Sequence, residues 1–564
     1  MPTIPDTFPF KEARPGQLEA IEKTIEAFNE GKKFVLLEGP TGCGKSAIAI
    51  AIARQYPSSF WITPAKFLQD QIVGDFGENG KWVGVHEPLI DLKGRNAYPC
   101  NFYERAILDD PKEIEGDRNI WRTKARRPQI KTDMSDPSFD PSAVTCDAGE
   151  CRRQGESKFN YCVSDLGVHC PYFQRLYQAK NSKICLMNFH SFLYQTSMTQ
   201  QFAPRSLMVI DECHNADNVL MGFVEFNLSD RSLQHEGVKF PKLDNVKQYM
   251  QYFEEIKLGD IIQNKIKVAT LALDIKAADE WSNVAMKFTH LISSDPEKWV
   301  CEWEENKTGV SRTVSIKPIF IDEYADPYLF SKADRILLMS ATILSKDLLC
   351  KELGIPDDQV KSIRMRSSFP PEIRPIYYQP CGKMSFEHKT KTMPKLIESV
   401  ERICRHHQNE RGIIHTHTFE IAHALMDKCA SDVRSRFLFQ KEAIFDGDKT
   451  ALLEKHKSMP NGVIIAPAMH EGLDLKDDLG RFAIICKIPY PSKNDPQIAA
   501  RLLITPDFYD WKTSLKLVQS YGRIYRHAED FGSTYVLDSN FKWFVEKVIE
   551  KKFLPEWFVE AIHF

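Results

Sequence analysis

The apolar run Phe34-Val35-Leu36-Leu37 is followed by the loop Gly39-Pro40-Thr41-Gly42-Cys43-Gly44-Lys45-Ser46 and a second apolar run, Ala47 to Ala53. The loop fits the pattern G-x-x-x-x-G-K-S/T. A strand entering such a loop and a helix leaving it commit this part of the chain to a layered α/β fold with a parallel sheet. The glycines let backbone N–H groups close around phosphate oxygens, and the helix start adds its positive dipole end. Lys45 then supplies a point charge to the β and γ phosphates, and Ser46 a hydroxyl ligand for Mg²⁺.

A further apolar run, Leu207 to Ile210, ends in Asp211-Glu212-Cys213-His214. A carboxylate at a strand's C-terminal end can hold Mg²⁺, which assigns Asp211 beside Ser46. Glu212, next in line, can act as base or orient the attacking water. Further strands are expected at Lys33 to Glu38, Phe60 to Thr63 and Ile336 to Met339, and a second set at Gly412 to His415, Gly462 to Ala466, Phe482 to Lys487 and Ser533 to Leu537. Each set reads as a parallel sheet covered by helices, so the chain is expected to hold two α/β domains.

Connections between sheet elements are typically ~2–6 residues. From Lys45 to Asp211, and again from His214 to Ser340, the chain runs well over a hundred residues. Both stretches therefore hold insertions. The first contains Cys100, Cys146, Cys151, Cys162 and Cys170 in a polar, loop-like context with too few apolar residues to pack unaided. A metal staple would supply the missing stability, and four thiolates suit either zinc or an iron–sulfur cluster. Between these cysteines, Trp121 to Arg127 reads equally as a solvated basic loop or as a grip on single-stranded nucleic acid. The second insertion, roughly Asn218 to Pro327, has helix-like segments at Val246 to Ile256 and Lys267 to His290 and is expected to be a largely helical lobe.

The 564 residues carry 14 cysteines, too few for a disulfide scaffold, and a net charge of −3, so a nucleic-acid partner would have to meet a local patch. No apolar run has the ~18 residues of a membrane span, and the first residues lack the apolar core of a signal peptide. A cytoplasmic, monomeric chain that engages no membrane, in a bacterial or phage-infected cell, is the expectation. Near the C-terminus, Gln519 to Arg526 places Arg523 and Arg526 three apart on one helical face. Guanidinium groups there could stabilise charge on a γ phosphate, although a salt-bridged surface helix would read the same.

Together these elements resemble the superfamily 2 helicases. Arg14 and Gln17 resemble the motif that recognises adenine, and Thr63-Pro64 with Gln71 the next motif. Ser340-Ala341-Thr342 resembles the motif that couples hydrolysis to strand movement, Glu471 to Asp474 the fifth motif, and Gln519 to Arg526 the sixth. The approach Leu92 to Cys100, the tetrad Cys170-Pro171-Tyr172-Phe173 and the segment Asn188 to Leu193 resemble more narrowly the XPD and DinG helicases with an iron–sulfur cluster.

The resemblance implies an α/β fold with two RecA-like parallel-sheet helicase domains, the first interrupted by an iron–sulfur lobe and a helical Arch-like lobe. The expected boundaries are 1–94, 181–217 and 328–345 for the first helicase domain, 95–180 for the iron–sulfur lobe, 218–327 for the Arch-like lobe and 346–564 for the second helicase domain. It implies ATP and Mg²⁺, with Arg14, Gln17, the loop Gly39 to Ser46, Asp474 and Gln519 binding nucleotide. Lys45, Asp211, Glu212, Arg523 and Arg526 are the implied catalytic groups. It favours a [4Fe–4S] cluster over zinc, with Cys100 and Cys170 as ligands by their flanking motifs. Cys151 and Cys162 are taken as the middle pair, with Cys146 as the alternative. The implied activity is ATP-driven 5′-to-3′ translocation on single-stranded DNA with unwinding of forked or 5′-tailed duplexes. Two other readings share these motifs: a DNA-dependent ATPase within a nucleoprotein or RNA-guided complex, and an RNA helicase.

Overall fold

The computed structural model describes residues 5–99, 170–272, 274–306, 308–367, 369–439, 446–467, 475–524 and 530–564. The chain divides into two compact units, Met1–Gln55 with Val209–Ala216 and Arg335–Phe564, and Tyr56–Met208 with Asp217–Asp334.

In the first unit the strand Phe34–Glu38 is buried along its whole length. It lies between two parallel neighbours, pairing Phe34 with Ile336 and Glu38 with Ser340 on one side, and Phe34 with Val360 and Glu38 with Arg364 on the other. Burial on both faces is why the strand reads as continuous apolar sequence rather than as an alternation. The strand Val360–Arg364 falls inside the expected second helicase domain, yet it pairs into this first sheet. The junction between the two sheets therefore lies beyond Arg364, later than residue 345.

The second sheet has seven strands in the order Phe437–Phe439, Val463–Ala466, Gly412–His415, Phe482–Ile485, Ser533–Asp538, Ile376–Gly382 and Ile562–His563. Its pairings are parallel. The helix Lys389–His406 covers one face, burying Met393, Leu396, Val400 and Ile403 at helical spacing against Ile414, Ile465 and Ile484. Continuously apolar strands beside helices with apolar residues at helical spacing are how a doubly covered sheet is read from sequence.

The second unit holds the parallel strands Ser59–Thr63, Ile184–Asn188 and Ile90–Leu92, with Ile184–Asn188 in the middle. Its lobe contains the expected helix at Val246–Glu255, but the helix expected over Lys267 to His290 is two helices, Leu258–Leu271 and Ile275–Ile292. Asp274 caps the second, accepting from Ala277 N at 3.2 Å, which gives the chain a local reason to restart there. The lobe is not helical throughout. Phe226–Ser229, Arg312–Pro318 and Trp299–Glu305 form an antiparallel sheet with Arg312–Pro318 in the centre. Val314, Ile316 and Pro318 alternate inward along that strand and close a core with Phe226, Phe253, Phe288 and Trp299. Among the described residues no helix is long and apolar enough to cross a membrane.

Candidate active site

Gly42 and Gly44 take the left-handed backbone, with φ of 80° and 83°. Gly44 caps the helix Lys45–Ala53, whose remaining residues from Ala47 onward are buried. A side chain at Gly44 would collide with Gln17, since its Cβ would stand 2.3 Å from Gln17 Nε2. Gln17 is 1% exposed, and its amide donates to Cys43 O (2.9 Å) and Gly44 O (3.3 Å) while accepting from Arg14 N (2.8 Å). Arg14 Nη1 donates to Gly42 O. The two residues expected at the base are thus also a brace beneath the loop, engaging three of its carbonyls. Lys45 Nζ donates to Gly39 O at 3.0 Å, and Lys45 and Ser46 are both half-buried. Burial pushes the Cys43 thiol above its ordinary range.

Asp211 is 9% exposed, and its carboxyl is pushed up to about 7 by burial first and by the Glu212 charge second, with Lys45 acting the other way. Asp211 is a buried carboxylate near enough to Lys45 to feel its charge, and Ser46, the next residue, adds a hydroxyl, which gives hard-oxygen donors. They fit a magnesium ion, which would be held by Asp211 and Ser46. Glu212 follows in the left-handed conformation (φ 49°), and its N–H donates to Asp211 Oδ1 at 3.0 Å. A non-glycine residue held there is a strained placement of the kind found at functional sites.

From Glu212 a chain of hydrogen bonds runs to the last motif. Ser340 Oγ donates to Glu212 Oε2 at 3.2 Å and lies 2.7 Å from His214 Nδ1. The Gln519 amide donates to His214 Nε2 and, at 3.3 Å, to Thr342 Oγ1. His214, Ser340, Thr342 and Gln519 are all buried. Gln519 belongs to the helix Pro506–Tyr521, which ends at Gly522, where an added Cβ would lie 3.4 Å from Thr41 Oγ1 of the phosphate loop. Arg523 is half-buried and comes directly after this contact. Arg526 and Asp474 lie outside the described residues.

Ser340 and Thr342 were expected as part of a coupling motif but not as site residues, and neither His214 nor Glu38 was expected in the site. Glu38 Oε1 accepts from Ile343 N (2.9 Å) and Leu344 N (2.8 Å), and its Oε2 from Arg364 Nε (2.6 Å). It clamps the turn after Ser340, in which Leu344 has φ 62°. The sequence signal was a lone carboxylate closing an otherwise apolar strand.

The cysteine insertion leaves and rejoins the second unit at a built neck. The rings of Tyr98 and Tyr172 meet edge to face at 5.7 Å, each two residues from an expected cysteine ligand, Cys100 and Cys170. Arg95 lies 5.5 Å over the Tyr172 ring, whose hydroxyl accepts from Gln195 Nε2 at 2.8 Å. Arg175 ties the returning helix Pro171–Asn181 to Asp91 O (2.9 Å) and Glu78 Oε2 (2.7 Å). Arg205, 6% exposed, holds the helix's other end through Ala179 O (2.7 Å) and Ser182 O (2.8 Å). Cys170 is 5% exposed at the helix start. Cys100, Cys146, Cys151 and Cys162 lie outside the described residues, as does Trp121 to Arg127. Among the described residues no group of three or more His, Cys, Asp and Glu could hold a metal ion.

The chain matches the Helicase C-terminal domain family over residues 400–560, the DEAD_2 family over 161–233 and the family of the Type III restriction enzyme res subunit over 10–82. It is 22% identical over 603 residues to the ATP-dependent DNA helicase YoaA of Escherichia coli, covering 94% of this chain and 92% of that one. To the ATP-dependent DNA helicase DinG of Photobacterium profundum it is 24% identical over 256 residues, covering 40% of this chain and 34% of that one. A solved XPD helicase structure superposes with a TM-score of 0.59 at 15% identity, covering 97% of this chain and 99% of that chain.

Proposed function

We infer that this chain, an XPD/DinG-type superfamily 2 helicase, hydrolyses ATP to translocate 5′-to-3′ on single-stranded DNA and to separate forked or 5′-tailed duplexes. The observation that carries the reading is the hydrogen-bonded path from Glu212 through Ser340 and His214 to Gln519. It links the residue suited to activate water with the helix that leads to Arg523. A change at the γ phosphate felt by Glu212 is thereby a change in the partner of that helix.

The residues divide the work as follows. Arg14 and Gln17 hold the loop in shape, and Lys45 meets the β and γ phosphates. Glu212 accepts a proton from water or orients it, and Arg523, with Arg526, faces the charge that develops on the phosphoryl group. Magnesium, held by Asp211 and Ser46, would supply charge neutralisation across the phosphate oxygens. Cys100, Cys151, Cys162 and Cys170 would hold a [4Fe–4S] cluster as a structural staple for the inserted lobe, with no redox step required. Grip on DNA through backbone charge and stacking makes binding weaken as salt rises.

The test is strand displacement on 5′-tailed and 3′-tailed duplexes, with ATP hydrolysis measured alongside single-stranded DNA and RNA. Displacement from the 5′ tail alone, with stimulation by DNA, is the expected result. Stimulation by DNA without displacement on either tail would favour an ATPase serving a nucleoprotein complex, and stimulation by RNA alone an RNA helicase. Cys170→Ser should cost unwinding at least about tenfold more than it costs hydrolysis, because the metal orders the lobe and leaves the nucleotide site intact. Unwinding at the wild-type rate in Cys170→Ser would remove the cluster from the mechanism.

A further inference from the structure

Residues 365–375 connect the two sheets of the first unit. At one end Met365 N donates to Glu38 O at 2.8 Å; at the other Ile376 opens a strand of the second sheet. Within this connection Arg374 is 1% exposed. Its Nε and Nη2 donate to Phe369 O at 3.2 and 3.1 Å, and its Nη1 to the Tyr521 hydroxyl at 3.2 Å and to Trp557 O. The Tyr521 hydroxyl returns a hydrogen bond to Arg374 O at 2.6 Å. The Tyr521 ring lies parallel to Trp557 at 6.0 Å and edge-on to Phe558 at 5.1 Å.

Among the described residues these partners are carbonyls, a hydroxyl and an indole ring, with no carboxylate. A cation buried without a counter-charge is costly, and packing alone would be served by an apolar side chain. What a guanidinium adds is a rigid fork that fixes several acceptors in one geometry. Here the acceptors come from three separate places: the connection, the end of the helix Pro506–Tyr521 and the C-terminal helix Glu556–Val559. The connection's backbone joins the same body, since Ile373 O accepts from Gly532 N (3.0 Å) and Pro375 O from Thr534 N (2.9 Å).

Tyr521 stands two residues from Gln519 and two from Arg523. Between them Gly522 is close enough to the phosphate loop that an added Cβ would touch Thr41 Oγ1 at 3.4 Å. We propose that Arg374 is a positioning residue for the nucleotide site, fixing through Tyr521 the end of the helix that presents Gln519 to His214 and leads through Gly522, beside Thr41 of the phosphate loop, to Arg523. The inference rests on the proposed function for its importance and on geometry for its content. Misplacing a catalytic group by about an ångström costs on the order of a hundredfold in rate.

Two variants test it, Arg374→Met and Tyr521→Phe. The second removes only the hydroxyl and leaves the ring stack, so it stays informative where the first fails to fold. The measurements are ADP affinity, affinity for ADP with aluminium fluoride, and kcat and KM for ATP hydrolysis with single-stranded DNA. The expected result is ADP affinity within about twofold of wild type, a loss of roughly tenfold or more in preference for the fluoride complex, and kcat lowered about 10- to 100-fold at little-changed KM. Both affinities falling together with the melting midpoint would make Arg374 merely structural and overturn the proposal. Wild-type preference and kcat in Tyr521→Phe would overturn it as well. The analogue comparison needs no turnover. A chain that fails to hydrolyse ATP with any nucleic acid would therefore refute the proposed function, while the fluoride preference would still report on Arg374.

Discussion

Lys45→Ala is expected to lower DNA-stimulated ATP hydrolysis by about a thousandfold, equivalent to roughly 4 kcal/mol of transition-state stabilisation. The lysine stands at the start of the helix Lys45–Ala53 with its ammonium 3.0 Å from Gly39 O, inside the curve of the loop. Arg14 is committed to Gly42 O. Negative charge on the β and γ phosphates would then lose the ammonium that the loop itself supplies and depend on backbone dipoles, the expected magnesium and Arg523. The alanine removes a half-buried side chain rather than core packing, so the melting midpoint should hold within a degree or two. Phosphate release measured with saturating single-stranded DNA decides the matter. Activity above about a tenth of wild type would mean that the loop does not bind the hydrolysed nucleotide.

Glu212→Gln should separate binding from chemistry. Glutamine keeps the length of the side chain and an oxygen able to accept from Ser340 Oγ, so the path to His214 and Gln519 survives. It cannot take a proton. Removing a positioned general base typically costs about 10²- to 10⁴-fold, and kcat should fall within that range while nucleotide affinity changes less than about threefold. The strained φ of 49° at this residue should be unaffected, because it is braced by the bond from Glu212 N–H to Asp211 Oδ1, which glutamine retains. Single-turnover hydrolysis together with binding of a fluorescent ATP analogue checks both halves. Hydrolysis within fivefold of wild type would shift the base role to another residue.

Much of this was readable along the chain because it is local. The strand Phe34–Glu38 and its loop announce themselves by an apolar run and glycines, and the strands at Gly412–His415 and Ser533–Asp538 stand close to their expected positions. The lobe's antiparallel sheet was missed because Trp299–Glu305 is interrupted by glutamates and its burial depends on partners elsewhere in the chain. The alternation of Val314 and Ile316 was the usable signal. Pairings at long range were out of reach for the same reason. Nothing in sequence spacing brings Gln17 beneath Gly44, Glu38 onto the turn at Ile343, or Gln519 onto His214. Arg374 was invisible as well, since its meaning comes entirely from which three segments surround it.

The neck at Tyr98 and Tyr172 has a consequence for the length of chain between them. The described chain on either side of residues 100–169 meets at the Tyr98–Tyr172 ring contact, and Arg175 and Arg205 tie the returning helix to the sheet beside it. The entropic penalty of a longer excursion grows only about 0.6 kcal/mol per doubling. A segment inserted at this junction can therefore vary in length at little cost to the strands beside it.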